Sequence, residues 1–367
     1  MGEFLTRLWE ALTRRIDNFL FGCALALVGV GLVTLFSASD QSAARVTTQI
    51  FSFGFALVLM WAVANIPPQT LARAAVPLYV LGVLLLVGVA FFGVVVNGSR
   101  RWLNIGIGRI QPSELMKIAL PLMLAWYFQK FEGRINWKDF AVAAVLIVVP
   151  VYLIKRQPDL GTALLIAASG CYVLYLAGLS WKIMVGLVAL AGAAGPYVWA
   201  HLHDYQRERI LTFVDPTRDP LGSGYHSTQA SIAIGSGGVI GKGWLNGTQT
   251  HLDFLPERHT DFIFAVFGEE FGLIGNGLLL VLYLLLIGRA MIITANASTL
   301  FARLMAGAVT LMFFTYAFVN MGMVSGLLPV VGVPLPLVSY GGTALVSLFI
   351  GLGILMSVQA HRKLVTT

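Results

Sequence analysis

A chain of 367 residues would ordinarily suggest two soluble domains, yet 57% of its residues are hydrophobic, 11% are charged and the mean hydropathy is +0.82, against roughly 25% charged in soluble chains. So few charges cannot solvate a globule of this size, and the apolar content excludes a disordered or fibrous chain, which leaves an integral membrane protein. The formal charge of +7 does not call for nucleic acid, because membrane proteins use Lys and Arg to fix orientation; Cys23 and Cys171 lie in apolar runs and form neither a disulfide framework nor a CxxC motif.

Residues 1–16 set Phe4, Leu5, Leu8, Trp9 and Leu12 at helical spacing among Arg7, Arg14 and Arg15, which predicts an interfacial helix on the cytoplasmic side. The apolar run 19–36 approaches the ~20 residues needed to cross a bilayer and lacks a clean cleavage site after it, so it reads as a first span and not a signal peptide. Further runs near 48–66, 76–97, 114–129, 138–154, 160–178, 182–200, 262–288, 303–328 and 341–361 bring the expectation to about ten transmembrane helices in one all-α domain, 1–367. A large extracytoplasmic loop, 201–261, separates the seventh from the eighth.

With both termini cytoplasmic, twelve Lys and Arg lie inside, and twelve outside or near that face. Five of the latter belong to the long loop, where the orientation rule loses force, and Lys117 is intramembrane; setting these aside, inside leads twelve to six. The six that defy the rule, Arg45, Arg100, Arg101, Arg109, Lys155 and Arg156, mostly cluster in short loops and ask for an anionic partner on the outer face.

The long loop interleaves turn residues (Asp215 to Pro220, and glycines from Gly222 to Gly247) with Tyr225, Ile232, Trp244 and Leu252, the pattern of ordered turns and not of a linker. Its segment Gly235 to Gly243 fails as a phosphate loop because Ser236 stands at a required glycine and Gly243 where a hydroxyl would bind magnesium. Tight turns near a site are the better reading. Five of the six histidines lie between His201 and His259, with no i, i+4 zinc spacing on a predicted helix. Pro329 to Pro336 holds three prolines and cannot stay helical, so at membrane depth it must be buried in protein or line a cavity.

Ionisable groups at membrane depth narrow the search. Glu114 and Lys117 share a helix face at i, i+3 and can neutralise each other, as a structural pair or as part of a site. Asp159, beside Lys155 and Arg156 at the start of the sixth span, caps a helix or forms a salt bridge. Glu269 and Glu270 lie inside the eighth span and read as polar lining of the bundle. Asp261, where the long loop re-enters the membrane beside Glu257, Arg258 and His259, is the sharpest candidate: a lone Asp there is usually a helix cap, but this cluster and the opposing bases suit a charged lipid headgroup.

Four stretches, RWLNIGIGRIQPSELMK (101–117), QPDLGTA (157–163), LPERHTDFIFAVFGEEFG (255–272) and NMGMVSGLLPVVGVPLPLVSYGG (320–342), together resemble the SEDS family (shape, elongation, division and sporulation), over essentially the whole chain and in order. Arg258 and the segment Val331 to Pro334 look like its elongation branch more than its division branch. The resemblance implies a peptidoglycan glycosyltransferase of the inner membrane that polymerises lipid II on the outer face. It also implies a class B penicillin-binding protein, which crosslinks the product, and other elongation-complex proteins as partners. It makes Asp261 the essential residue, and Glu114, Lys117 and Asp159 sensitive ones.

The chemistry agrees. A sugar on a diphosphate has a good leaving group, so transfer needs a base for the attacking 4-hydroxyl and positive charge for the departing phosphate. Asp261 is the expected base, with inversion at the anomeric carbon and undecaprenyl diphosphate released. Arg101, Arg109, Lys117 and Arg258 are candidates for the diphosphate. A divalent cation, Mg or Mn, could share that work, although no ligand cluster requires one. Two rivals use the same residues differently: a lipid II transporter, and a non-catalytic scaffold for a penicillin-binding protein.

Overall fold

Side chains that accept the first amide hydrogens start several helices. Asp17 caps α1 (Asn18–Ala38) through the Leu20 amide at 2.9 Å, and Pro68 and Pro112, which have no amide to lose, open α3 (Pro68–Phe92) and α4 (Pro112–Lys130). Between them run α2 (Ala43–Ala64) and a three-stranded antiparallel sheet, β1 (Val94–Val96), β2 (Ser99–Asn104) and β3 (Arg109–Ile110). The computed structural model describes residues 14–96, 99–104, 106, 109–157, 159–193, 195–200, 207–208, 211–213, 215, 223–251, 255 and 257–362. The expected interfacial helix therefore falls almost wholly outside the described residues, as do 201–206 and most of 209–222 in the long loop.

The chain continues through α5 (Trp137–Lys155), α6 (Leu160–Leu176), α7 (Trp181–Ala193) and α8 (Gly195–Ala200), then α9 (Ser223–Ser236) and the single turn α10 (Thr248–His251). The last three helices are α11 (Ile263–Ala295), α12 (Leu300–Val324) and α13 (Gly342–Ala360). Among the described residues α1, α2, α3, α5, α11, α12 and α13 are long and apolar enough to cross a membrane. The other expected runs also form helices, but α4 carries Glu114, Lys117 and Lys130, and α6 and α7 are shorter.

Two expectations need amendment. The run 76–97 does not end as helix: α3 stops at Phe92 and Val94–Val96 pair with Ser99–Trp102, because three consecutive β-branched residues beside Gly93 favour a strand once the helix has ended. The all-α reading gives way at that hairpin. The long loop also holds α9, whose Ala230 and Ala233 are fully buried as it packs along α11.

The central helices are α12 and α13, with two thirds of their most apolar stretches buried. α12 packs on α4, α6 and α11, α13 on α2, and α1 on α11. At one end of the bundle Arg289 of α11 grips Asp17 at 2.5 Å. The opposite end carries Asp261, Asp159 and the proline-rich segment.

Candidate active site

Asp261 lies in a turn, 257–262, that α12 and the segment after it hold by the backbone. The Asn320 amide nitrogen donates to the Asp261 carbonyl at 2.8 Å and to the Val333 carbonyl at 2.6 Å, so one buried side chain ties the turn to the proline-rich segment. Ser339 Oγ donates to the Thr260 carbonyl at 2.6 Å and the Tyr340 amide to the His259 carbonyl at 3.0 Å. The Gly341 amide donates to Gln49 Oε1 at 3.3 Å, bringing α2 into the same frame. Four carbonyls and two amides of non-helical backbone thus find partners within the protein.

The Asp261 carboxylate lies against Gly332. Gly332 has φ +70°, and a Cβ there would stand 3.2 Å from Asp261 Oδ2, so glycine serves both the left-handed backbone and the space beside the carboxylate. The next residue back, Val331, presents its carbonyl to Gly161 of α6, where a Cβ would come within 2.6 Å. The same ribbon, 331–332, therefore borders Asp261 on one side and the first turn of α6 on the other.

That first turn is capped by Asp159, which accepts from the Thr162 amide at 3.1 Å, lies 3.5 Å from Arg101 Nη1 and 3.4 Å from Gln111 Nε2. Both expected roles, cap and salt bridge, are filled at once, and the residue is buried. Glu114 and Lys117 pair at 2.5 Å, Ser347 of α13 donates to the second Glu114 oxygen at 2.7 Å, and Lys117 stands 4.9 Å over the Tyr316 ring. Arg258 is buried and held by Asp40 and by the Thr250 carbonyl; to reach a diphosphate it would have to share its guanidinium. Arg109 stands exposed on β3. The 331–332 ribbon thus runs between Asp261 and the first turn of α6, whose cap Asp159 pairs with Arg101 and Gln111, with Glu114 and Lys117 further along α4.

Beneath Gln111 a cavity of about 630 Å³ opens between α2, α3, α4 and α13. Its walls are mostly apolar, among them Phe55, Leu78, Leu115 and Ile350, and its polar lining includes Glu114 and Ser347.

Glu269 proves to be more than bundle lining. It is fully buried, and its Oε1 accepts from Lys242 Nζ at 2.7 Å, Thr248 Oγ1 at 3.1 Å and the Gln249 amide at 3.0 Å, while Oε2 accepts from the Thr250 amide and hydroxyl at 3.3 and 3.2 Å. The glycine-rich segment meets α11 backbone to backbone where that helix breaks at Gly272 (φ +65°). The Lys242 and Gly243 amides donate to the Glu269 and Glu270 carbonyls, and the Leu273 and Ile274 amides to the Gly238 and Val239 carbonyls. A Cβ on Gly241 would stand 2.1 Å from the Glu270 oxygen, which is the physical reason for the glycines that imitate a phosphate loop. Asn320 and Glu269 hold these segments in place; sequence reasoning gives Asn320 no role and reads Glu269 only as bundle lining, and a lone amide and a carboxylate inside apolar runs are the available signal.

A family profile described as cell cycle protein, covering FtsW, RodA and SpoVE, matches residues 17–364. The chain is 51% identical to peptidoglycan glycosyltransferase MrdB of Escherichia coli over 352 residues, 96% of this chain and 95% of that one. It is 34% identical to the probable peptidoglycan glycosyltransferase FtsW of Coxiella burnetii over 358 residues, 93% and 95% of the two chains. Among solved structures, a chain from a study of how a peptidoglycan synthase complex coordinates polymerization and crosslinking superposes with a TM-score of 0.83 at 34% identity, covering 95% of this chain and 98% of that one. The Rod shape determining protein RodA of Thermus thermophilus superposes at 0.71 with 32% identity, covering 94% and 96%.

Proposed function

The chain belongs to the family of FtsW, RodA and SpoVE, and from that premise we infer that it is a peptidoglycan glycosyltransferase serving cell shape, as the relatives' names have it. The finer reading is that it polymerises lipid II in the inner membrane during elongation, with ten spans, both termini cytoplasmic and the Asp261 end facing outward. Asp261 takes the proton from the acceptor sugar's 4-hydroxyl as that oxygen attacks the donor's anomeric carbon in line. The carbon–phosphate oxygen bond breaks with inversion, and the electron pair leaves on undecaprenyl diphosphate.

The observation that carries this reading is the placement of a carboxylate against a bare glycine backbone, on a ribbon that also meets the first turn of α6, whose cap Asp159 pairs with Arg101, with an apolar cavity opening beside Glu114. Arg101 and Arg109 supply charge to the departing diphosphate; Lys117, paired with Glu114, orients it. The isoprenoid tail lies in the 630 Å³ cavity between α2, α3, α4 and α13. Among the described residues no three His, Cys, Asp or Glu converge; a divalent cation, Mg or Mn, would be held jointly by a single carboxylate of the site and the substrate's phosphate, the one-carboxylate arrangement Mg²⁺ accepts. It would add charge for the leaving group. A class B penicillin-binding protein, which crosslinks the product, is the expected partner, in keeping with the synthase complex to which the chain is similar.

The test gives the purified protein, alone and with that partner, labelled lipid II, and compares it with Asp261→Asn on a gel that resolves glycan strands. Loss of a general base predicts a fall of about a hundredfold or more, with partner binding retained. A variant that still makes strands at the wild-type rate would remove Asp261 from the chemistry. No strands under any metal or partner condition, with flipping in liposomes instead, would establish a transporter.

A further inference from the structure

Two of the six bases that defy the orientation rule, Arg100 and Arg156, take no part in the chemistry above, and the structure brings them together. Arg100 and Arg101 are neighbours on β2, and adjacent residues of a strand point to opposite faces. Arg101 turns to Asp159, whereas Arg100 turns outward, its stem crossing Gly93 so closely that a Cβ there would fall 2.6 Å from Arg100 Cγ. Its Nη1 donates to the Ala90 carbonyl at 3.3 Å, which fixes the guanidinium at the end of α3. Arg156, at the end of α5, lies 5.0 Å over the Tyr152 ring and donates to that residue's hydroxyl. Among the described residues neither arginine has a carboxylate partner in an ion pair.

Both arginines line one cavity of about 540 Å³. Its remaining wall is apolar, with Leu86, Val89, Phe91 and Leu153, and Gln157 lies at its base, buried and donating to the Leu86 carbonyl at 3.1 Å. α3 and α5 are both candidate spans, and the cavity sits where the two end, at the boundary of membrane and water. Lys155 adds a further exposed positive charge beside it. Snorkelling side chains at such a boundary ordinarily reach water singly; here two guanidinium groups, one fixed by a carbonyl and one by an aromatic ring, face a common hollow with greasy walls.

We propose that this cavity is a second lipid site, separate from the cavity beside Glu114, which binds the phosphate headgroup of a membrane lipid between Arg100 and Arg156 while its chains lie along Leu86, Val89 and Phe91. Planar guanidinium groups form paired hydrogen bonds to phosphate oxygens, and the two charges select an anionic over a zwitterionic lipid. Two sources carry this chemistry: the bulk anionic phospholipid of the bilayer and a polyisoprenyl phosphate.

The experiment uses the purified full chain in neutral detergent and measures binding of phosphatidylglycerol, phosphatidylcholine and a polyisoprenyl phosphate by native mass spectrometry and thermal shift. Wild type should prefer a phosphate-charged lipid to phosphatidylcholine, and the double variant Arg100→Gln, Arg156→Gln should weaken that binding about tenfold for each guanidinium removed. Arg303→Gln, at the other end of the bundle, should keep it, which separates a site from general charge. Preference for phosphatidylglycerol assigns the site to bulk lipid, and preference for the polyisoprenyl phosphate assigns it to the carrier class; either upholds the phosphate site. The cavity beside Glu114 should hold one copy of the polyisoprenyl phosphate in both proteins, so the proposal falls if wild type shows no preference, or if native mass spectrometry counts as many bound anionic lipids on the double variant as on wild type. Should the double variant fail to fold, Arg156→Gln alone decides, since the Arg156 side chain is held by Tyr152, one turn back on its own helix.

Discussion

His259 stands two residues before the proposed base, with Arg45, Glu257 and Arg258 around it. Burial, then Arg45, holds its imidazole below the ordinary range against the opposing pull of Glu257. The unfolded chain therefore takes up a proton at a higher pH than the folded one, and stability is full above about pH 6.5 and declines as the pH falls through that value. Thermal midpoints of wild type and His259→Asn, measured at about pH 7.5 and about pH 5.5, should show a smaller acid loss in the variant; equal losses would place the acid sensitivity elsewhere. Individual residues are legible in the sequence where the relevant neighbour is a few positions away. Glu114 and Lys117 need only helical spacing, and Asp159 only its place before an apolar run. Asn320 bridges two backbone carbonyls supplied by segments 59 and 13 residues distant, and no local pattern announces that.

At the scale of elements, α11 and the glycine-rich segment form one unit. The helix breaks at Gly272, and its four exposed peptide groups bond to residues 238–243, while Glu269 gathers Lys242, Thr248, Gln249 and Thr250. Glu269→Gln keeps the shape but turns an NH₂ group toward the amide of either Gln249 or Thr250, donor against donor, and leaves Lys242 without its counter-charge. The expected cost is about 2 kcal/mol, since Lys242 is only partly buried, read as a lower thermal midpoint and faster proteolysis across 242–250. An unchanged midpoint would mean the carboxylate is dispensable. The helices themselves are readable because apolar runs of this length have few other solutions. Residues 94–96 escape that reading because three valines at the end of such a run carry no sign of where the helix stops. The glycines of 235–247 are visible, but their purpose is not, because it depends on a second backbone that approaches them.

Over the whole molecule the two ends of the bundle differ. One is tied by Asp17 and Arg289, a capped helix bound to a neighbour's basic residue. The other carries broken helix, hairpin, proline-rich ribbon and cavities, held together by side chain to backbone bonds from Asn320, Ser339 and Gln49. The ribbon 331–332 touches α6 at Gly161 and the carboxylate of Asp261 at Gly332, so neither contact can be altered alone. In genetic terms, these positions should be read as one locus. Gly161→Ala, which touches no reacting group, should push Val331 and with it the Asp261 carboxylate, lowering activity by up to about a hundredfold. Revertants selected for restored cell shape should then carry second-site changes within 329–333, where the ribbon can yield, and Asp261 itself should never appear among them.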